Sequence, residues 1–485
     1  MSADNLADLD MTTLADGVRA GRLSARAVVE HALTRAYAEQ ERLNCFIAIE
    51  PDTARVNADA IDASVAAGHD PGPLAGAPLA HKDLFSRLGT PVSCGARLCQ
   101  DYAPLGESTA LTRLSQAGAL NLGRLHMTEL ANGSTGHNVW FGHCHNPWAP
   151  DRAPGGSSSG TGAATAARAI AGGLGTDVGG SIRIPASMCG VVGLRPTQTR
   201  ITRTGAMPLS FSMDCTGPLT RSVRDTARML KVVAGFDPQD HTSSRKKCPD
   251  YEEACDQEAR DLVIGIPDTY YVDGLDQDVA GAFDAAHRTL SAEGCRTVKV
   301  KMPDHEPINE LWNVIQLSEV ASVHARWLRD HPEQYSPQVR RRIETGLYIS
   351  AADYLRASAL RAEITEAFLA DVFNECDVLI TPTLPLTAPL LNETDVGDGD
   401  ESEQRDMSLA EWHTMILRIS GFTRPVSFLG LPAMSVPAGH DRNGLPVGVQ
   451  FIGRPFDEST LLRVGDLFQR VTNWHRMVPP AAESI

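Results

Sequence analysis

Helical and strand-like segments alternate along most of this chain. Residues 10–41 predict two helices, the second capped by Ser24, and residues 50–68 predict a third. Short apolar runs that predict buried strands follow at 77–80, 120–122, 263–266, 297–300, 378–381, 433–436 and 448–452. Strands interleaved with helices in this way predict an α/β fold, with a central mixed β-sheet covered by helices on both faces.

The later elements indicate one continuous fold. Asn443-Gly444, between the last two apolar runs, predicts a tight β-hairpin because both residues tolerate positive φ. Further helices are predicted at 108–117, 127–131, 160–171 and 459–471. The length of 485 residues would by itself favour about three domains, but no linker is evident, and the acidic stretch 393–406 reads as a surface loop. We therefore expect one domain over residues 1–485, with a helical segment of about 1–70 packed onto it.

Composition argues against several classes of protein. The formal net charge of −16 disfavours a nucleic-acid partner, because affinity for a phosphate backbone depends on clustered Lys and Arg. No apolar run approaches the ~20 residues that span a bilayer, and the N-terminus lacks the basic and apolar regions of a secretory signal. The ten cysteines form no CxxC pair, which is typical of reduced thiols. We expect a cytoplasmic protein with no membrane partner.

The glycine- and serine-rich run at 155–187 is the most informative segment for function. It begins GGSSSG and ends GTDVGGSIRIPAS, so that Ser157 and Ser181 lie in two separate clusters. Glycine lets the backbone turn tightly and approach a ligand closely. A serine hydroxyl on such a loop, with backbone N–H groups turned toward one point, suits nucleophilic attack on a carbonyl.

Two other kinds of site compete with this interpretation. Residues 156–160 satisfy the G-x-S-x-G elbow with Ser158 as nucleophile, but the preceding NPWAPDRAP contains prolines that the required central strand does not tolerate. The second is a metal site, on residues that crowd one segment: His126, His137, His143, Cys144 and His145. Neighbours on an extended chain point to opposite faces, and the spacing matches no zinc motif, so we expect no metal.

The two serine clusters, in this order and spacing, resemble the amidase signature family. The GPLAGAPLAHKD segment is similar to the family's lysine-bearing strand, and later segments match its further landmarks in order. The matching segments are 72–83, 214–225, 377–385, 430–439 and 445–462. The resemblance covers nearly the whole chain and implies the amidase signature fold.

The resemblance implies a catalytic set of three residues. Ser181 falls on the nucleophile, Ser157 on the bridging serine and Lys82 on the general base. It also implies a cis Gly156–Ser157 peptide bond. Lys82 must be neutral to accept a proton, and burial lowers a lysine's pKa by disfavouring its charged form. Ser157 can then pass a proton between the other two side chains, since a hydroxyl both donates and accepts.

Further roles follow from the same resemblance. The backbone N–H groups of Val178, Gly179, Gly180 and the nucleophile would form an oxyanion hole. Asp177 and Arg183 would either brace this loop or be ordinary charges near a turn.

Three positions remain as substrate or relay candidates. Thr176 would either bond near the relay or cap a turn. Gly133 and Ser134 lie in a segment that resembles a loop lining the family's substrate site. His81 adjoins the lysine and could tune it.

The resemblance implies an amidohydrolase that cleaves linear amide C–N bonds of small molecules through an acyl-enzyme. Carbamate, acyl-urea and ester bonds are related substrates, and no metal or organic cofactor is expected. The expected partner is a small-molecule amide, with a homodimer left open. The alternative is a glutamine-hydrolysing subunit of an amidotransferase complex, although the second half shows no clear glutamine-binding signature. The complete lysine–serine–serine set disfavours a catalytically inactive binding protein.

Overall fold

One mixed sheet forms the centre of the protein. The computed structural model describes residues 6–98, 106–395 and 409–480. Within these ranges, eleven strands pair in the order β1-β3-β2-β4-β6-β5-β10-β11-β9-β7-β8. Their bounds are β1 Phe46–Ile49, β2 Pro78–Lys82, β3 Leu120–Leu125, β4 Gly172–Asp177, β5 Val192–Arg195, β6 Cys215–Thr220, β7 Val263–Pro267, β8 Arg296–Val300, β9 Val378–Pro382, β10 Ala433–His440 and β11 Pro446–Ile452.

Fifteen α-helices surround this sheet in the described ranges. They are α1 Met11–Arg19, α2 Ala25–Leu43, α3 Pro51–Ala66, α4 Thr109–Gln116, α5 Ser159–Ala166, α6 Arg183–Cys189, α7 Val223–Val233, α8 Tyr251–Asp256, α9 Gln277–Ala292, α10 Glu306–Asp330, α11 Pro337–Gly346, α12 Ala351–Phe373, α13 Leu409–Ser420, α14 Arg424–Phe428 and α15 Glu458–Val471. Short 3₁₀ helices lie at Glu129–Ala131, Pro332–Gln334 and Trp474–Arg476. Helices α2, α5, α6, α7, α9 and α15 contact the strands directly.

Parallel and antiparallel pairs are both present, as expected for a mixed sheet. Strand β2 runs parallel to its neighbours β3 and β4, and β7 runs parallel to β8 and β9. The middle of the sheet, from β4 through β6, β5, β10 and β11 to β9, is antiparallel. The predicted α/β class, with helices covering a central mixed sheet on both faces, is confirmed.

Several local predictions are confirmed at residue level. Ser24 caps α2 by accepting the N–H of Ala27 at 3.2 Å. Strands β10 and β11 form the predicted hairpin, and the Asp441 carboxylate accepts the N–H groups of Asn443 and Leu445 in its turn.

The sequence expectation differs from the structure around the glycine-rich run. The helix predicted at 160–171 ends at Ala166, because the chain turns there into β4. Strand β4 has the sequence GGLGTD, which lacks the β-branched alternation on which strand prediction depends.

The parallel pair β2 and β4 positions the site. The carboxyl ends of adjacent parallel strands meet at one edge of a sheet, where ligands commonly bind. Lys82 ends β2, and Thr176 and Asp177 end β4. Residues far apart in sequence are thereby brought to one place.

Two further observations concern the sequence expectations. No helix among the described residues is long and apolar enough to cross a membrane. The described cysteines are all free thiols, and Cys99 lies outside the described ranges. The assignment of residues 1–485 to one domain stays a prediction.

Candidate active site

Lys82 lies at the centre of the site and is fully buried. Its Nζ donates to Ser157 Oγ at 2.6 Å and to Thr176 Oγ1 at 2.8 Å. Burial lowers the pKa of Lys82 to about 7, against the opposing effect of the negative charges of Asp214 and Asp177. Near neutral pH this amine is therefore deprotonated in a large fraction of molecules and can accept a proton.

The GGSSSG segment lies just before α5 and places its serines differently. The Gly156–Ser157 peptide bond is cis, as the resemblance implied. Ser158 turns away from the lysine, since its Oγ accepts the N–H of Thr176 at 3.3 Å and donates to the carbonyl of the same residue at 3.4 Å. The residues directly before this segment form no strand. The G-x-S-x-G elbow with Ser158 as nucleophile therefore lacks its structural context.

Ser181 lies in the turn between β4 and α6, which we call the Ser181 loop (residues 178–182). Together with Val178 and Gly179 it lines a cavity. Its hydroxyl makes no hydrogen bond to any group in the described part of the chain, whereas its carbonyl accepts the N–H of Ser158 at 3.3 Å. Ser181 therefore lies at this cavity with its hydroxyl unbonded to the described residues.

One of the four backbone N–H groups predicted to form the oxyanion hole already has a partner in the protein. The N–H of Gly180 donates to Asp177 Oδ1 at 2.9 Å and is therefore occupied. The N–H groups of Val178, Gly179 and Ser181 bond to no group among the described residues. The expectation that Gly180 donates to an oxyanion thus disagrees with the structure, because the carboxylate uses this N–H to hold the turn.

Asp177 and Arg183 form a buried pair that braces the Ser181 loop. Arg183 Nε and Nη2 each donate to the carboxylate at 3.0 Å, and Ser427 Oγ adds a bond at 2.9 Å. Burial alone would raise the pKa of Asp177, but the charges of Arg183 and Arg195 outweigh it and hold that pKa well below its usual range. The carboxylate is therefore ionised at neutral pH and able to fix the loop.

A second set of contacts holds the carbonyl side of the same loop. Trp312 Nε1 donates to the carbonyl of Val178 at 2.9 Å, and Thr423 Oγ1 donates to the carbonyl of Gly179 at 2.6 Å. Both carbonyls of the loop are thus held by side chains that lie outside it.

The cavity beside Ser181 includes predicted and unpredicted residues. Gly133 and Ser134 line it, as expected from the sequence. Lining residues that the sequence did not indicate come from α10, α11, α13 and α14, and they include Trp312, Gln316, Arg342, Ser420 and Arg424. No motif marks these residues, because they lie on four separate helices that only the fold brings to the site.

His81 and His126 each have hydrogen-bond partners within the fold. His81 Nδ1 accepts the N–H of Leu174 at 3.1 Å, and burial lowers the pKa of this ring to about 3, so it stays neutral. His126 Nε2 bonds the carbonyl of Gly142 at 2.8 Å, and its Nδ1 lies 3.2 Å from Ser159 Oγ. His81, adjacent to Lys82 in a strand, points to the opposite side of the backbone and adds no charge to it.

One group among the described residues has the geometry to hold a metal ion. Ligand atoms of His137, His143 and Asp395 lie within 4.8 Å of one another. The same atoms also form protein contacts, since His143 Nε2 lies 3.4 Å from Asp395 Oδ2 and His137 Nε2 lies 2.9 Å from Thr394 Oγ1. This group includes only two of the five residues considered from the sequence. It does not belong to the lysine–serine arrangement.

Comparison with known proteins places the chain in a family. The model of the Amidase family matches residues 27–462. A relative from Halorhodospira halophila, named as a subunit of glutamyl-tRNA(Gln) amidotransferase, is 38% identical over 489 residues, covering 96% of this chain and 98% of the relative. A relative of the same name from Bordetella petrii is 39% identical and covers 95% of each chain.

Solved structures show the same similarity. A chain from a vestigial protein complex, studied for the origins of an s-triazine catabolic enzyme, has a TM-score of 0.87 and 34% identity, over 95% of this chain and 98% of that one. The glutamyl-tRNA(Gln) amidotransferase subunit of the same name from Thermotoga maritima has a TM-score of 0.75 and 29% identity, over 95% of this chain and 94% of that one.

These relatives correct two expectations drawn from the sequence. The main prediction, a linear amidase for small molecules, is wrong, because the curated relatives are named as amidotransferase subunits. The prediction of a small-molecule amide as partner, without nucleic acid, is wrong for the same reason. Charge and motif alone could not reveal this, since one subunit can carry the amide chemistry while its partners bind the nucleic acid.

The family itself was identified correctly from the two serine clusters and the upstream lysine. The match extends over nearly the whole chain and includes every segment that carries the site. The chain belongs to the Amidase family, whose enzymes hydrolyse carbon–nitrogen bonds.

Proposed function

We propose that this chain is the glutamine-hydrolysing subunit of an amidotransferase that acts on glutamyl-tRNA(Gln). The observation that carries the proposal is the near full-length similarity to subunits of that enzyme, at 35–39% identity. The buried lysine–serine arrangement supports it, because an amidotransferase must release ammonia from an amide donor before transferring it.

The proposed chemistry begins with proton transfer along the relay. Neutral Lys82 takes the proton of Ser157, which takes that of Ser181, whose oxygen attacks the side-chain amide carbon of glutamine. The tetrahedral intermediate collapses, the C–N bond breaks, and the relay returns the proton to the departing nitrogen as ammonia. Water then hydrolyses the acyl-enzyme ester, which releases glutamate and restores Ser181.

The oxyanion of each tetrahedral intermediate needs preorganised donors. The N–H groups of Val178, Gly179 and Ser181 meet this need, since they are unoccupied and belong to a loop held from both sides. Losing one such donor typically costs ~10²–10³ in rate. We assign the oxyanion to these three groups.

The acidic charge of the chain bears on how the assembly divides its work. A net charge of −16 disfavours extensive contact with a phosphate backbone. We therefore propose that partner subunits bind most of the tRNA, while this chain supplies ammonia. A cytoplasmic location, expected from the sequence, belongs to the same proposal.

Reconstitution with the other amidotransferase subunits from the same source tests this function. The complete assembly should release ammonia from glutamine and convert glutamyl-tRNA(Gln) to glutaminyl-tRNA(Gln) when ATP is supplied. With Ser181→Ala, glutamine should no longer support the conversion, whereas added ammonium chloride should. This pattern separates loss of hydrolysis from loss of assembly.

The contrary results are equally defined. An assembly that forms but never releases ammonia from glutamine would refute the proposed donor. A chain that does not associate with those subunits in size-exclusion chromatography would refute the proposed partners. Ser181→Ala that still uses glutamine would refute the proposed nucleophile.

A further inference from the structure

Unpartnered buried polar atoms are concentrated on the cavity beside Ser181. Both amide atoms of Asn132, the hydroxyl of Ser134, Gln316 Oε1 and Arg424 Nε lack hydrogen-bond partners among the described residues. All four side chains line this cavity. Buried polar groups in proteins are nearly always bonded, so their collection at one cavity indicates a polar ligand.

Two arginines give the same cavity a positive charge. Arg424, at the start of α14, is only 4% exposed, and Arg342 on α11 is half-buried beside it. Neither guanidinium forms an ion pair with a carboxylate in the described part of the chain. Burial lowers the pKa of Arg424, and the positive charge of Arg342 lowers it further. No Asp or Glu is among the described lining residues.

Two other buried arginines of this protein behave differently. Arg183 and Arg195 are fully buried, and both face the carboxylate of Asp177. One carboxylate thus faces both of these buried guanidinium groups. The guanidinium of Arg424 instead lies over the Trp312 ring, 4.7 Å from the ring centre. The ring orients the guanidinium without neutralising it.

Trp312 also links this charge to the reacting group. The face of its indole ring contacts the guanidinium of Arg424, and its Nε1 donates to the carbonyl of Val178 in the Ser181 loop. One rigid side chain thereby links the Arg424 guanidinium to the Ser181 loop. Such an arrangement can position a substrate by its charged end.

We propose that Arg424 and Arg342 form an anion subsite for the non-reacting end of the amide, and that the site selects amides carrying a carboxylate and no ammonium there. This deepens the proposed function and rests on it. Glutamine would bind through its α-carboxylate, while its α-ammonium would face two like charges and no described carboxylate. The monoamide of glutaric acid, which is glutamine without the amino group, should therefore be the better substrate.

Three amides of matched length test the charge preference. Glutarate monoamide differs from glutamine by the ammonium alone, and from pentanamide by the carboxylate alone. We expect kcat/KM for glutarate monoamide to exceed that for glutamine by about tenfold and that for pentanamide by about 100-fold. Ammonia release is measured for the isolated chain and for the reconstituted assembly.

Substitutions then assign the preference to the two arginines. Arg424→Met and Arg342→Met should each raise KM for glutarate monoamide about tenfold, with kcat/KM for pentanamide nearly unchanged, and Arg424→Lys should recover part of the loss. Arg340→Met is the matched control, because Arg340 lies on α11 but pairs with Glu344 and does not line the cavity.

The results that overturn the inference differ from those that overturn the function. A higher kcat/KM for glutamine than for glutarate monoamide would show that the ammonium is recognised. Equal losses on pentanamide and glutarate monoamide would show that the arginines act only on structure. If no amide is turned over, calorimetry of ligand binding to Ser181→Ala tests the anion subsite instead. Glutarate should bind to this variant, and pentanoate should not. Failure to assemble with partner subunits leaves this ranking of amides untouched.

Discussion

The Nζ atom of Lys82 lies 2.6 Å from the Oγ atom of Ser157, and both side chains are fully buried. Lys82 ends β2, and it also bonds the hydroxyl of Thr176 on the adjacent strand β4. Ser157 lies just before α5. We propose that this pair forms the proton-accepting part of the relay. Its chemistry depends on the lysine being neutral, which makes pH the most direct probe.

The rate of acyl-enzyme formation should rise with pH through about 7. Burial lowers the pKa of Lys82 to about 7, so the neutral, proton-accepting form is the minor one at pH 6 and the major one at pH 8. The single-turnover rate should be about tenfold higher at pH 8 than at pH 6. A flat profile over this range would exclude Lys82 as the titrating base.

Asp214→Asn distinguishes the lysine from a second group that titrates nearby. Burial raises the pKa of Asp214 to about 6, and its negative charge favours the protonated form of Lys82. Removing that charge should lower the pKa of the lysine, so that the midpoint of the rate profile moves to lower pH. If the rate of Asp214→Asn instead no longer depended on pH, the Asp214 carboxyl would be the group whose titration controls the rate.

Ser181, rather than Ser158, should carry the covalent acyl group. A fluorophosphonate probe should label wild-type protein at Ser181, as shown by mass spectrometry of its peptides, and should not label Ser181→Ala. Ser158→Ala should keep its labelling site, because the Ser158 hydroxyl bonds the backbone of Thr176 and does not line the cavity. Label on Ser158 would restore the elbow interpretation.

Local sequence determined some parts of this site and not others. The two serines lie in glycine-rich turns, and Lys82 ends an apolar strand, so these local structures could be predicted. Their catalytic roles stay a prediction. The hydrogen bond from the N–H of Gly180 could not be predicted, because it depends on the direction that the Asp177 side chain takes at the end of β4. Arg342 and Arg424 also escaped prediction, since they lie on separate helices and only tertiary packing makes them neighbours.

Strand prediction failed for a related reason. Strands β4, β5 and β6 include GGLGTD and other glycine-containing sequences that carry little β-propensity. They are strands because each is paired on both sides in the centre of the sheet. Strand β4, whose Thr176 contacts Lys82, is thus specified by its neighbours and by the close approach that glycine permits.

Breaking the Asp177–Arg183 pair should be strongly destabilising. Arg183→Met leaves a buried carboxylate with fewer partners, which costs about 3–5 kcal/mol of the free energy of unfolding. Because the pKa of Asp177 is lowered, the pair's contribution is present above the unfolded pKa, about 3.8, and is lost as pH falls further. Urea denaturation at pH 7 measures the first effect.

Arg340→Met controls for the loss of an arginine. Arg340 pairs with Glu344 near the surface, so this change should leave the urea midpoint nearly unaltered. An equal loss of stability in the two variants would mean that the buried pair contributes no more than an exposed one.

Gly179→Ala should lower activity by about 10²–10³ while the protein remains folded. A Cβ atom at this position would lie 2.7 Å from Cζ2 of Trp312, a ring that is held by Val178 and Arg424 and cannot easily move. The Ser181 loop must then shift and misplace its N–H donors. Gly281→Ala is the matched control, because a Cβ atom there meets open space on α9 and should leave activity unchanged. Unchanged kcat/KM for glutamine in Gly179→Ala would contradict the steric cause.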